Sequence, residues 1–380
     1  MLHYELSYWE QETFLKNIDV AIIGSGIVGL TAAIQLKTEQ PGLRVVILER
    51  GALPIGASTR NAGFACFGSL TELLDDLSHM TENEVLDVVE KRWRGLQQLR
   101  ELVGDDRMDF QMHGGYELFN DQEEVIFRKC RDVMPDFNQK IGQITGFREG
   151  YKVVDDRLSA FGFKGVRHLI LNQPEGQVHT GKMMAALLEI AVAKGVQIFN
   201  GIGIGQLEDS SQGVEIKTEF GWTIQAARVL VAVNGFAGRL LNRVDVVPAR
   251  NQVLITQPIP NLAVEGCFHY DRGYFYFRNI DGRILLGGGR HLSRELENTD
   301  QFGSNDAIRE SLIELLHTVI CPGQAVKIDR WWSGILGLGP VKKPIIERIS
   351  PNVAVAVRLS GMGVAIGTLV GREGAELVMK

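Results

Sequence analysis

The chain has 380 residues, 45% of them hydrophobic and 23% charged, which excludes disorder and is too long for one ordinary core, so two domains are expected. A formal net charge of −6 without a Lys/Arg cluster leaves no electrostatic footprint for nucleic acid or an anionic membrane. Cys66, Cys130, Cys267 and Cys321 are far apart and form no C-x-x-C pair, which argues against a disulfide framework or a bound metal and for a reducing cytoplasm.

Met1 to Lys16 mixes acids with apolar residues and lacks a basic start followed by an apolar run, so it does not read as a secretory signal, and no apolar stretch reaches the length of a membrane span. Ile18 to Ile23 is an apolar strand that runs into Gly24–Ser25–Gly26–Ile27–Val28–Gly29 and then a helix. In this G-x-G-x-x-G pattern the first glycine permits the tight turn and the second lets the backbone approach a pyrophosphate. The third lets helix and strand pack closely, so that free N–H groups of the helix start face the anion. A second strand, Val45 to Leu48, ends in Glu49, twenty residues past Gly29 (49 − 29), where a carboxylate can accept hydrogen bonds from ribose hydroxyls and would repel a 2′-phosphate. The unit therefore reads as a βαβ site for NAD or FAD.

Next comes Gly56–Ala57–Ser58–Thr59–Arg60–Asn61–Ala62–Gly63, small and polar, suited to a ligand-lining loop. Residues 71–103 read as helices, and a helix capped by Thr180 is expected to stop at Gly195 before a strand through Val196 to Phe199. Residues 214–218 and 222–226 read as a hairpin, followed by a short buried strand from Arg228 to Val233 that ends at Asn234. Between 245 and 292 successive strands, including Gln252 to Thr256, Tyr274 to Phe277 and Arg283 to Leu286, predict an antiparallel sheet. Val353 to Val357, then Ser360–Gly361–Met362–Gly363–Val364, then a helix through Glu376, return to the strand, glycine loop and helix pattern. The expected fold is α/β: a Rossmann-like domain with a parallel sheet, made from residues 17–90, 165–243 and 325–380, and an inserted α+β domain with a mainly antiparallel sheet, made from 91–164 and 244–324. The active site is expected where the two meet.

The ordered motifs Gly24-x-Gly26-x-x-Gly29, Glu49–Arg50–Gly51, Gly56 to Gly63, Pro248–Ala249–Arg250–Asn251–Gln252 and Ser360 to Ala365 resemble those of the D-amino-acid oxidase superfamily of FAD-dependent oxidoreductases. That superfamily includes glycine oxidase, D-amino-acid dehydrogenase and the γ-glutamylputrescine oxidase branch. The resemblance spans nearly the whole chain. It implies an extended FAD with its pyrophosphate over Gly24, Ser25, Gly26, Ile27, Val28 and Gly29, and its adenosine ribose at Glu49 and Arg50. It places the isoalloxazine ring beside Ala57, Ser58, Thr59, Arg60, Asn61, Ala62, Gly63 and Phe64. Ile204 would meet the adenine, and Asn234, Gly334, Gly361, Met362, Gly363 and Val364 would complete the cofactor contacts. No histidine follows Ser58–Thr59 and no cysteine lies in the loop before Gly363, so non-covalent FAD is expected.

The activity implied is oxidation of the C–N bond of an amine or amino-acid derivative, by hydride transfer to flavin N5. Oxygen or an electron carrier would be the acceptor. The alternatives are an FAD-dependent 2-hydroxy-acid dehydrogenase, a nicotinamide dehydrogenase using only the first βαβ, and a flavin-binding partner protein without turnover. Amino-acid-oxidising members carry a carboxylate-clamping arginine in W-x-G-x-R, yet the matching segment Trp332 to Pro344 has Ile335 and Leu336 there. The missing cation is therefore sought at Arg250, Arg278 or Arg290. Strand alternation would put Tyr274, Tyr276 and Arg278 on one face, and Arg250, Tyr274 and Arg278 are the candidate catalytic residues. Phe64 and Cys66 are expected near the ring. The histidines, His269 among them, read as surface or structural residues.

Overall fold

The computed structural model describes residues 5–241 and 245–380; the expected domain boundary at 243/244 and Met1 to Tyr4 lie outside them. Two eight-stranded sheets organise the chain. In the first, strands run in the order Ile345–Ser350, Val353–Val357, Thr223–Val231, Ile18–Ile23, Val45–Glu49 and Gln197–Asn200, with a hairpin of Ile204–Ser210 and Gly213–Thr218 hung on Thr223–Val231. Ile18–Ile23 pairs in parallel on both sides, Ile22 opposite Leu230 and Ile47. The continuous apolar runs follow from burial on both faces. On one face Val20, Ile22, Ile47, Leu230, Ala354 and Ala356 pack against the helices Ile27–Glu39, Glu82–Val103, Thr180–Ala193 and Gly363–Met379. On the other, Ala21, Ile23, Val46, Val229 and Val355 meet Val214, Ile216 and Ile224 of the hairpin.

The second sheet runs Ile328–Leu338, Val247–Thr256, Arg283–Gly288, Phe275–Ile280, Cys267–Tyr270, Gly115–Asn120, Val166–Asn172 and Tyr151–Val153. All its pairs are antiparallel except Cys267–Tyr270 with Gly115–Asn120. Its centre holds stacked aromatics, Phe268 lying 4.8 Å from Tyr116 and 4.9 Å from Phe277 between ring centroids.

Several sequence expectations change in detail. Val166–Asn172 and Ile328–Leu338, expected in the first domain's segments, pair in the second sheet, opposite Gly115–Asn120 and Val247–Thr256. The hairpin arm and the strand after it form one element, Thr223–Val231, antiparallel to Gly213–Thr218 and parallel to Ile18–Ile23. The expected helices of 71–103 are Leu70–Asp76 and Glu82–Val103, the second opened by a Thr81–Glu84 capping box. The Thr180–Ala193 helix is capped by His179, whose Nδ1 accepts from the Lys182 N–H, while Gly195 adopts the expected positive φ of 83°. Among the described residues no helix is long and apolar enough to cross a membrane.

Candidate cofactor and active site

A cavity of about 840 Å³ opens between the two sheets, within the range of roughly 300–1,000 Å³ typical of small-molecule and cofactor sites. Its floor is the first βαβ unit. Gly24 turns at φ 103°, a conformation closed to most side chains, and a Cβ on Gly29 would collide with the Gly24 carbonyl oxygen. A Cβ on Gly26 would lie 2.9 Å from Ser58 Oγ, which accepts the Ile27 N–H at 3.0 Å. The Ile27–Glu39 helix has no side-chain cap of its own at Gly26. Glu49 is buried with Oε2 accepting from the Ser25 N–H at 3.0 Å and Oγ at 2.7 Å, and Oε1 accepting from the Gly51 N–H at 2.9 Å. A carboxylate offers about four lone-pair sites, so it keeps capacity for a ligand hydroxyl.

The loop Ala57 to Phe64 forms the next wall. Asn61 holds it from within: Nδ2 donates to the Ala57 and Ser58 carbonyls, and Oδ1 accepts from the Gly63 N–H and the Thr180 hydroxyl. Arg60 ties it to the second sheet, donating to the Ser333 carbonyl at 3.0 Å and accepting at its own carbonyl from Trp332 Nε1 at 3.0 Å. The Gly363–Met379 helix meets the cavity end-on, its N-cap Met362 making no side-chain cap bond. Such a start presents free N–H groups and a positive partial charge.

Of the residues expected to hold cofactor, Gly24, Gly26, Ile27, Val28, Glu49, Arg50, Ala57, Ser58, Arg60, Asn61, Ala62, Phe64, Ile204, Asn234, Gly334, Gly361, Met362, Gly363 and Val364 line this one cavity. Ser25, Gly29, Thr59 and Gly63 stand behind it: Ser25 braces Glu49, Thr59 donates to the Pro54 carbonyl, and Gly63 bonds through its carbonyl to the Val178 N–H. Two lining residues carry buried acceptors without a partner among the described residues, Asn251 Oδ1 and Ser360 Oγ. Unpartnered buried polar atoms facing a cavity fit a polar ligand.

The candidate catalytic residues separate. Tyr274 lines the cavity, in the turn before Phe275–Ile280 rather than in the strand. Arg250 does not; its guanidinium makes a bidentate pair with buried Glu297 at 2.9 and 2.7 Å. Arg278 is 2% exposed and outside the lining, beyond Tyr276 on the same strand, with Nε unpartnered and its pKa lowered by burial. Arg290, the third candidate cation, contacts Asn298 at 3.2 Å and is also absent from the lining. For Arg278 alternation fixes a face but position along the strand decides what the face meets; Arg250 is held by Glu297, and Arg290 lies in the turn after Arg283–Gly288.

In their place the structure brings Glu72, Asp75, Lys342, His269, Arg272 and Arg294 to the cavity. Glu72 is paired with Lys342 at 3.1 Å and Arg92 at 3.2 Å, and although burial opposes its ionisation these cations hold its pKa at about 2. Lys342 also reaches Asp76 at 2.8 Å. His269, read from sequence as structural, stands in the wall edge-on to Phe64 at 5.3 Å, and burial depresses its pKa. Neighbouring Cys66 and Glu175 bring ligand atoms within 4.8 Å of it and of each other. Burial pushes the Cys66 thiol well up and the Glu175 carboxyl to about 7, and Glu175 Oε1 already accepts the Phe67 and Gly68 N–H groups. No sequence spacing marks this group, since its members come from three distant strands and loops.

Residues 19–377 match the family described as FAD dependent oxidoreductase. The chain belongs to this family. It is 27% identical, over 96% of this chain and 83% of the relative, to a probable oxidoreductase OrdL of Rhizobium meliloti. It is 23% identical, over 95% and 83%, to a γ-glutamylputrescine oxidoreductase of Escherichia coli. Among solved structures, a glycine oxidase from Geobacillus kaustophilus superposes with a TM-score of 0.75 at 20% identity, covering 96% of this chain and 95% of that one. An L-proline dehydrogenase from P. horikoshii gives the same TM-score at 19% identity, covering 96% and 94%. The fold is that of these enzymes, and this FAD-dependent oxidoreductase has a cavity whose donors and unpartnered acceptors fit the cofactor.

Proposed function

We propose that this oxidoreductase oxidises the C–N bond of an amine or amino-acid derivative that lacks a carboxylate clamp beside the reacting carbon. The γ-glutamylputrescine oxidoreductase relative and the glycine oxidase neighbour are named for amine and amino-acid chemistry, which supports the amine reading. The observation that carries the rest is the pair Ile335 and Leu336, both lining the cavity where the resemblance expects arginine. An aliphatic wall cannot bind a carboxylate, and Lys342 is committed to Glu72 and Asp76.

In this reading Gly24, Gly26 and the start of the Ile27–Glu39 helix hold the pyrophosphate, and Glu49 accepts from the ribose. Loop Ala57 to Phe64 and residues Gly361 to Val364 flank the isoalloxazine. Bound non-covalently, FAD supplies a two-electron acceptor able to take hydride from the substrate carbon. The uncapped start of the Gly363–Met379 helix favours negative charge near it. Phe64, Tyr276 and His269 exclude water from one side. His269, whose pKa burial depresses, adds no positive charge against an incoming amine, and Glu72 is held by Lys342 and Arg92.

The test is anaerobic bleaching of the flavin by glycine, sarcosine and D-alanine beside larger N-substituted amines. Losing a buried charge-assisted carboxylate contact costs about 2–5 kcal/mol, so the small amino acids are expected to be slower by at least about 30-fold. Equally fast reduction by glycine or D-alanine would overturn the pocket assignment.

A further inference from the structure

Two arginines the sequence did not single out, Arg272 and Arg294, line the cavity beside Tyr274. Between Cys267–Tyr270 and Phe275–Ile280 the chain turns through Asp271, Arg272 and Gly273 with φ of 48°, 54° and 81°, a left-handed run that projects Arg272 and Tyr274 at the cavity. The Arg272 guanidinium lies 5.4 Å from the Tyr274 ring centroid, and Arg294 Nη2 lies 3.5 Å from the Tyr274 hydroxyl. His291 packs on the same ring at 4.3 Å, and Arg290, outside the cavity lining, precedes it in the chain.

The acids nearby offset this group only in part. Glu297 has both carboxylate oxygens engaged by Arg250, with Gln252 as a further donor. Glu123 accepts from the Asn120 N–H. Asp271 makes one contact with Arg272 at 3.4 Å and one with His291 at 3.8 Å. Among the described residues, no carboxylate lies within ion-pair distance of Arg290 or Arg294. Burial, more than any neighbour, lowers the pKa of Arg290 and of His291; Arg294 adds to it at Arg290 against Glu297, and Arg294, Arg272 and Arg290 add to it at His291 against Asp271. Arg272 and Arg294 at one phenol, with Asp271 alone among the described acids in ion-pair reach of either, leave a net positive, anion-attracting rim. Arg272 is 54% exposed, so the rim is open to an incoming ligand.

We propose that Arg272, over the Tyr274 ring, and Arg294, at its hydroxyl, bind a carboxylate carried by the substrate at the end remote from the oxidised amine. The substrate class is then an amino acid in the wide sense, with its carboxylate separated from the amine by a spacer that spans from rim to ring. This rests on the amine reading above for the reacting end. Arginine suits the role because its planar fork matches a carboxylate, and the Tyr274 hydroxyl beside Arg294 offers a further donor.

The experiment uses the FAD-loaded protein, with 6-aminohexanoate and its methyl ester as probes, in isothermal titration and in anaerobic flavin reduction. In the unaltered protein the acid is expected to bind at least about tenfold more tightly than the ester. In the double variant Arg272→Gln/Arg294→Gln that ratio falls to within about twofold of one. Arg330→Gln, which removes the same charge from a residue outside the cavity, keeps the ratio. Absence of an acid preference in the unaltered protein, or its survival in the double variant, would overturn the proposal. If the preference follows the arginines but no amine bleaches the flavin, the carboxylate site stands and the amine reading fails.

Discussion

At the scale of single residues, Gly26 and Glu175 show opposite ways in which a side chain is constrained by what surrounds it. Any Cβ at Gly26 meets the Ser58 hydroxyl that already serves the Ile27 N–H, and a branched side chain would also fill the space in which the backbone approaches the pyrophosphate. Gly26→Val is therefore expected to purify as folded protein with its 450 nm absorbance reduced at least about tenfold relative to 280 nm, because the anion site is lost. Undiminished yellow colour would sink the assignment of this turn. Glu175 is buried, and its pKa rises to about 7. A carboxyl whose folded pKa exceeds its unfolded value favours the fold fully below about pH 4.5. That contribution is lost as pH rises through about 7, at most on the order of 3 kcal/mol. Glu175→Gln keeps an acceptor for the Phe67 and Gly68 N–H groups, so the variant is expected to lose less stability than the parent between pH 5 and 8. Denaturant midpoints across that window check it; parallel curves for the two proteins would contradict it.

At the scale of elements, Arg250 belongs to architecture. It joins strand Val247–Thr256 to the short helix Arg294–Glu297 through a carboxylate that is fully buried. Arg250→Ala leaves Glu297 buried without its cation, and a loss of about 3–5 kcal/mol is expected in urea unfolding. Arg250→Met/Glu297→Leu should recover much of that loss. A fall in flavin reduction rate by Arg250→Ala without loss of stability would return Arg250 to the site. The same element explains what was legible in the sequence. Strand Ile18–Ile23, its glycine turn and Glu49 could be read because local spacing alone fixes the phosphate end. Val353–Val357 and the helix after it were legible for the same reason. The arginines were not, since a motif such as Pro-x-Arg gives a strand position but not the partner across the sheet. Glu72 and Lys342 meet only because Leu70–Asp76 and the loop after Ile328–Leu338 fold to one place, and no periodicity carries that. Helix contacts were equally hidden. A Cβ on Gly95 would strike the Ala365 carbonyl of the Gly363–Met379 helix, so this glycine, silent in sequence, sets how closely two helices cross.

At the scale of the whole molecule, the cavity is a seam. Gly24 to Val28 and Gly361 to Val364 belong to the first sheet's layer, whereas Asn251, Val253, His269 and Tyr276 belong to the second sheet, and Arg60 fastens the loop between them to Ser333 and Trp332. A ligand filling this seam contacts both sheets at once and should stabilise the molecule as a unit, because it binds the assembled form and not the unfolded chain. At a free FAD concentration a hundredfold above Kd the stabilisation is about 2.7 kcal/mol, and it grows with FAD concentration by mass action. Removing FAD is thus expected to lower Tm, with recovery on adding FAD back and a further rise at each tenfold excess. The cofactor must also be removable. After acid denaturation and filtration the yellow colour is expected in the filtrate, since the loop from Ala57 to Phe64 offers no histidine or cysteine for a flavin bond. Colour retained with the polypeptide would refute non-covalent binding. A Tm indifferent to FAD would show that the cofactor does not bridge the seam, and the division of labour between the two sheets would have to be redrawn.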